Sequence, residues 1–169
     1  QRPRVGEQEH GPGLRLPGAF DGFELALRAI LGQQVTVKAA RTLATRFVDA
    51  FGDVVETPFA ELTRAFPAPA RVATLTRDDI GKLGIVGQRA EAMIAIARAV
   101  TEGRLLLASD SEPTATIDAL RSIKGIGPWT AHYIAMRALA WPDAWPPQDV
   151  ALLNAMNLPN TAKGQREAD

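Results

Sequence analysis

Apolar residues recur every three or four positions through most of the chain, a spacing that predicts helices. The clearest helical patterns cover residues 20–31, 37–51 and 88–102, with shorter ones at 70–75, 78–83 and 150–156. Between residues 53 and 69 three prolines limit the prediction to one short helix near 60–65. No segment shows an alternation of apolar and polar residues long enough for a sustained strand, so the predicted class is all-α.

The first of these helices is predicted to be a core helix. Its apolar residues fall on one face, and Asp21 is the expected N-cap. The predicted buried positions are Phe20, Phe23, Leu27, Ile30 and Leu31.

Residues 114–140 contain two helical patterns joined by a turn too short for anything but a helical hairpin. Ile117, Leu120 and Ile123 give one apolar face before the turn. A second face follows it, formed by Ala131, Ile134, Ala135 and Ala138.

The turn itself reads Lys124-Gly125-Ile126-Gly127-Pro128. Two glycines allow positive φ or a close approach, Ile126 is a candidate plug into the core, and Pro128 suits the first turn of a helix. Free backbone N–H groups at that helix N-terminus would bind an anion such as a DNA phosphate. Taken alone, such a turn is more simply a corner between helices.

The amino-acid composition excludes several classes of protein and of functional site. The 169 residues are 46% hydrophobic, with no apolar run near the length of a membrane span, which indicates a soluble globular protein of one domain or two small lobes. The absence of cysteine excludes disulfides and cysteine-ligated zinc or iron–sulfur sites. Nineteen basic and nineteen acidic residues give zero net charge, so any nucleic-acid contact must use a local patch. No secretory signal or transit peptide is legible.

The two ends differ from the body of the chain. Residues 1–13 are polar, rich in glycine and without periodicity, which predicts a tail or interdomain linker. The helical domain is expected over 14–169. The last stretch is polar and ends abruptly, which suggests truncation at the C-terminus.

A few polar and aromatic residues are candidates for chemistry. Asp149 follows Pro-Pro-Gln at a predicted helix start, where an N-cap is the simpler interpretation and a catalytic carboxylate the alternative. Trp129 and Tyr133 lie four apart on one helix face, either as core edge or as a wall that stacks a flat, electron-poor ring. Gln33 and Gln34 are either solvated or enter a DNA groove and replace a displaced base.

Three separated motifs in order resemble the helix-hairpin-helix DNA glycosylases, specifically the branch of 3-methyladenine DNA glycosylase II. They are residues 28–37 (RAILGQQVTV), residues 120–131 with the Gly-Ile-Gly turn, and Pro147-Gln148-Asp149. The resemblance runs from about residue 14 to residue 156. It implies a two-lobed helical fold with the active site in the cleft between the lobes.

The resemblance also implies roles for individual residues. Asp149 would be catalytic, Trp129 and Tyr133 would line the base pocket, and Gln34 would be the wedge in the groove. Lys124, Gly125, Ile126 and Gly127 would hold the DNA backbone. The backbone carbonyls of Arg121, Ile123 and Gly125 would coordinate a monovalent cation, Na⁺ or K⁺. No other cofactor is implied.

The implied function is repair of alkylated double-stranded DNA by a monofunctional glycosylase in a bacterial cytoplasm, with no membrane and no protein partner. Lyase relatives carry a lysine where this chain has Trp129. Family members also have an N-terminal β domain and later helices, absent here, and often leucine at the position of Gln34. The main alternative is a helix-hairpin-helix module that binds DNA without chemistry, and a protein-binding helical domain is a weaker one.

Overall fold

A computed structural model describes residues 16–159. Within them the chain forms eight α-helices and a single isolated β-bridge, which confirms the all-α prediction for this part of the chain. The helices are α1 Gly22–Leu31, α2 Val37–Phe51, α3 Pro69–Ala73, α4 Arg77–Gly81, α5 Gly87–Thr101, α6 Pro113–Arg121, α7 Pro128–Ala138 and α8 Val150–Ala155. The division into two lobes stays a prediction, and the predicted linker at 1–13 lies outside the described residues.

Two helices form the centre of the fold. Helix α1 packs against α2, α5 and α7, and α5 packs in addition against α3 and α4. Leu27, Ile30 and Leu31 of α1 are completely buried, as are Met93 and Ile96 of α5. Each such side chain contributes about 1.5–3 kcal/mol by leaving water, so the hairpin is attached to a well-packed core through α7.

Side-chain caps set several helix starts. The Asp21 carboxylate accepts a hydrogen bond from the Glu24 N–H at 2.7 Å, as predicted, and Gly52 ends α2. Glu112 caps α6, the first hairpin helix, and the N–H groups of Ala115 and Thr114 lower the pKa of its carboxyl below 4.5. Its contribution to stability is therefore present above pH 4.5 and is lost as the pH falls through the lowered pKa of the folded state.

Two expectations from the pattern are wrong. Residues 60–65 form no helix, because the chain turns back there and pairs Val54 with Arg64 in the antiparallel bridge. Phe20 is fully exposed instead of buried, because it precedes the Asp21 cap and lies outside α1. The other four predicted core positions of this helix are buried.

The hairpin has the predicted form. Helices α6 and α7 pack against each other, α7 packs on α1, and Ile126 is buried between the two turn glycines with 6% of its surface exposed. Gly125 has φ +95°, a backbone conformation that favours glycine. Gly127 instead has φ −84° and forms the N-cap of α7, with Pro128 as its first residue.

Across residues 16–159, the helices are all too short or too polar to cross a membrane.

Candidate active site

The turn between α1 and α2 is bonded to the hairpin. The Gln33 side-chain amide donates to the Gly125 carbonyl and to the Thr130 hydroxyl, both at 3.1 Å. The Arg89 guanidinium of α5 donates to the Gln33 carbonyl. Three distant segments of the chain therefore meet at one partly buried glutamine.

This arrangement changes the role expected for Gln33. A groove-entering side chain needs a free amide, whereas both N–H groups of this amide are used inside the protein. Gln33 instead fixes the hairpin turn relative to the α1–α2 turn. We therefore do not retain it among the DNA-contacting residues.

Gln34, the next residue, is presented to solvent. It is exposed and has φ +53°, a left-handed conformation that few non-glycine residues adopt and that costs of order 1–3 kcal/mol. That conformation is held between Gln33, which is bonded to the hairpin, and the α2 cap at Thr36. The position of Gln34 is thus compatible with the predicted wedge.

Asp149 is bonded to Trp129. The indole N–H of Trp129 donates to one carboxylate oxygen of Asp149, Oδ2, at 2.9 Å. The other oxygen, Oδ1, accepts from the N–H groups of Ala151 and Leu152, each at 3.0 Å. Asp149 is therefore the N-cap of α8 and a partner of the hairpin at once, and the two interpretations of this residue are compatible.

The three bonds leave part of the carboxylate available. A carboxylate offers about four lone-pair positions, and among the described residues Oδ2 accepts from Trp129 alone. One oxygen is thus oriented by its hydrogen bond and still has a free acceptor position.

Trp129 and Tyr133 stack on each other. Their ring centroids are 5.1 Å apart and the planes differ by 8°. The Arg137 guanidinium lies 5.9 Å from the Tyr133 ring centre, within cation–π distance. The predicted pair therefore forms a flat aromatic surface one hydrogen bond away from Asp149.

A cleft of about 780 Å³ brings the three sequence motifs together. Its walls come from the α1–α2 turn, the start of α5, the hairpin turn, and the two residues that flank Asp149. Trp129 lines it, whereas Tyr133 is not part of the lining. The lining residues are Gly32, Gln33, Gln34, Val86, Gln88, Arg89, Gly125, Gly127, Trp129, Thr130, Gln148 and Val150.

Sequence reasoning missed the polar residues that α5 contributes to this cleft. Arg89 holds the Gln33 carbonyl, and Gln88 lies within 4 Å of where a side chain at Gly125 would begin. Both belong to the first turn of α5, whose pattern carried no sign of a site because only its packing against α1 brings it to the hairpin.

The predicted cation ligands are neutral oxygens of the hairpin. The Ile123 carbonyl accepts from the Ile126 N–H at 3.1 Å, and the Gly125 carbonyl accepts from Gln33. A carbonyl oxygen has two lone pairs, so each keeps one acceptor position. Such a donor set fits a monovalent cation. Within residues 16–159 no group of histidine and acidic side chains has the arrangement of a metal site.

Comparison with known proteins agrees with this geometry. Residues 27–169 match the model of the HhH-GPD superfamily base excision DNA repair protein. The chain is 39% identical to DNA-3-methyladenine glycosylase 2 of Escherichia coli (strain K12) over 138 residues, which are 82% of this chain and 48% of that protein. It is 36% identical to a DNA-3-methyladenine glycosylase of Bacillus subtilis (strain 168) over 153 residues, 86% and 48% of the two chains.

A solved structure shows the same fold. The 3-methyladenine DNA-glycosylase from Archaeoglobus fulgidus superposes with a TM-score of 0.70 and 27% identity, over 83% of this chain and 47% of that one. The chain thus spans about half the length of these relatives. The matched residues include the glutamine turn, the hairpin and Asp149 together, and on this basis the chain belongs to the HhH-GPD superfamily of base excision DNA repair proteins.

Proposed function

We propose that the protein takes part in base excision repair of alkylated DNA, hydrolysing the N-glycosidic bond of an extruded purine alkylated at N3 or N7 and leaving an abasic site. The observation that carries the proposal is the Trp129–Asp149 hydrogen bond, which joins the hairpin to a carboxylate beside the cleft. A helix cap needs only the two bonds to α8, whereas the indole bond adds an orientation of the carboxylate that supports a catalytic role.

The chemistry of the substrate explains why one carboxylate suffices. An alkylated purine of this kind carries positive charge, so the leaving base needs little acid catalysis. The remaining demand is to stabilise the sugar cation and orient the attacking water, and Asp149 Oδ2 has a free acceptor position for that task. Trp129 lines the cleft with Tyr133 stacked on it, and this aromatic pair is proposed to attract the cationic base by dispersion and cation–π interaction through the Trp129 ring.

The backbone of double-stranded DNA is held at the hairpin turn in this proposal. The N-cap of α7 is Gly127 and the first helical residue is a proline, so the N–H groups of Gly127 and Trp129, which have no partner within the helix, are the ones proposed to bind a phosphate. Arg121, Ile123 and Gly125 are the carbonyls proposed to hold a monovalent cation, which supplies positive charge next to a phosphate. Gln34 is the proposed wedge in the duplex.

The absence of a lysine at the hairpin helix start predicts a glycosylase without lyase activity. Trp129 occupies the position where lyase relatives carry the amine nucleophile. With the full-length protein and methylated duplex we expect base release and an intact strand. Strand cleavage or a borohydride-trapped covalent complex would overturn the monofunctional mechanism. DNA binding without any base release would favour the binding module instead.

Gly127 provides a test of the backbone contact. Its φ of −84° is open to any residue and a Cβ there meets nothing within 4 Å, so Gly127→Ala introduces no clash or strain and should lower the melting temperature only by the small cost of alanine at an N-cap. The added methyl group lies at the proposed phosphate site. We expect duplex affinity to fall by about tenfold, the equivalent of one charge-assisted hydrogen bond. Fluorescence anisotropy with labelled duplex measures it.

Gly125→Ala is the contrasting variant. At φ +95° an alanine is strained by about 1–3 kcal/mol, so this change should lower the melting temperature itself. If Gly127→Ala bound duplex as well as the unchanged protein, the proposed phosphate contact would be wrong.

A bacterial, cytoplasmic location accords with the organisms of the two curated relatives and is part of the proposal.

A further inference from the structure

A second cavity, of about 610 Å³, adjoins the hairpin at Ser122, Ile123 and Lys124, none of which lines the cleft. Its walls come from α4, α5, the loop after α5, and the end of the first hairpin helix with Ser122 and Lys124. We call it the basic groove, because it is lined by the cationic side chains Arg77, Arg98, Arg104 and Lys124 and by one carboxylate, Glu91. Of its residues, Lys124 and the Ile123 carbonyl alone were among the contacts that the family resemblance implies.

The charge of the groove is concentrated relative to the rest of the chain. The whole sequence has zero net charge, whereas the groove lining carries four positive charges and one negative charge. Arg77 pairs with Glu91 at 3.1 Å and Arg104 with Glu102 outside the lining, both as exposed pairs that stabilise little. Among the described residues Arg98 and Lys124 form no ion pair. The groove therefore keeps positive charge for an external anion.

The position of the groove points to a particular anion. Ser122 and Lys124 line the groove, and Gly125 and Gly127, one and three residues after Lys124, line the cleft. A DNA strand held at the turn carries a charge about every 3.4 Å along the helix axis, so neighbouring phosphates lie beside the turn as well as on it. We propose that the basic groove binds the DNA backbone flanking the lesion, through Arg98 and Arg104 in addition to Lys124.

This inference rests on the proposed function, since it requires that DNA be held at the hairpin. It extends the contact beyond the hairpin and the cleft to α5 and the loop after it. A groove that holds phosphates binds irrespective of base sequence and methylation, because it contacts the backbone alone.

Salt dependence of duplex binding tests the proposal. Each phosphate contact adds about 0.9 to the slope of log affinity against log salt concentration. The double variant Arg98→Gln/Arg104→Gln should therefore lower the slope by about 1.8. Between 50 and 200 mM salt the unchanged full-length protein should then lose about 12-fold more affinity than the double variant. Unmethylated duplexes should give the same difference.

Two further variants serve as controls. Lys82→Gln removes an exposed cation of the α4 end that does not line the groove, and should leave the slope unchanged. Arg104→Gln alone should lower the slope by about 0.9. This variant also serves if the double variant fails to fold, because the one ion pair of Arg104 within residues 16–159 is with the exposed Glu102.

The outcomes separate the two proposals. Duplex binding that Gly127→Ala weakens, with a slope that the groove variants leave unchanged, would overturn the basic groove and retain the hairpin contact. If the groove variants bind duplex normally but no longer bind an acidic peptide, the groove would be assigned to a protein partner. That result would also overturn the proposal that the groove binds DNA. No duplex binding by the full-length protein would contradict the proposed function itself.

Discussion

Asp149→Asn should lower the rate of base release from methylated duplex by at least about 10²–10³-fold, the usual cost of removing one electrostatic group that stabilises a transition state. Asparagine is nearly isosteric and caps helices as well as aspartate does, so the two α8 cap bonds should persist. The change removes the negative charge beside the cleft and also the acceptor of the indole bond, because the amide NH2 then faces the Trp129 N–H. Single-turnover base release by the full-length protein measures the effect, with melting temperature and affinity for abasic duplex measured in parallel.

Asp143→Asn is the matched control. Asp143 is an exposed carboxylate in the same proline-rich loop, and the same chemical change there should leave base release unaffected. Asp149→Ala adds loss of the cap, and its melting temperature should fall by the equivalent of about 1 kcal/mol. Near-normal base release by Asp149→Asn would leave Asp149 as a helix cap alone.

Trp129→Phe should lower base release by about 10- to 100-fold. The substitution keeps an aromatic ring against Tyr133 and removes the N–H that donates to Asp149 Oδ2 at 2.9 Å. A hydrogen bond to a charged acceptor contributes about 1.5–3 kcal/mol, which corresponds to this range when the bond sets the orientation of the reacting carboxylate. Single-turnover kinetics again give the effect, while affinity for abasic duplex should stay nearly constant.

A tryptophan elsewhere separates orientation from stability. Trp141→Phe makes the same change at a partly buried residue that packs against the core and is not bonded to Asp149. An equal loss of base release in both variants would mean that the effect is structural. A loss confined to Trp129→Phe is what an orienting hydrogen bond requires.

Helical periodicity in the sequence alone was sufficient to predict most of the helices. Core helices such as α1 and α2 need one apolar face, and that face is visible as a spacing of three and four residues. The periodicity gave the wrong prediction at residues 60–65, where the chain forms a short antiparallel pairing instead of a helix, and at Phe20, which is exposed instead of buried. In both places the outcome depends on contacts and boundaries that extend beyond the local pattern.

The candidate site was likewise predicted in part from the sequence and in part required the tertiary structure. The hairpin turn, Asp149 and the aromatic pair were identified from the sequence, because each is a local motif with its own physical requirement. The sequence around Asp149 could not decide whether this residue is a helix cap or a site residue. The indole bond across twenty residues of chain shows that it caps a helix and faces the hairpin at the same time.

The sequence by itself determined the class of fold, the hairpin with its Gly-Ile-Gly turn, and the residues able to carry chemistry, since these depend on periodicity and on the properties of single residues. The tertiary structure alone decided how they are used. Gln33 became an internal link to Gly125 and Thr130, and Arg89 joined it from α5. Those contacts join segments 56 to 97 residues apart, and a separation of that size is set by how the helices pack, which no local pattern encodes.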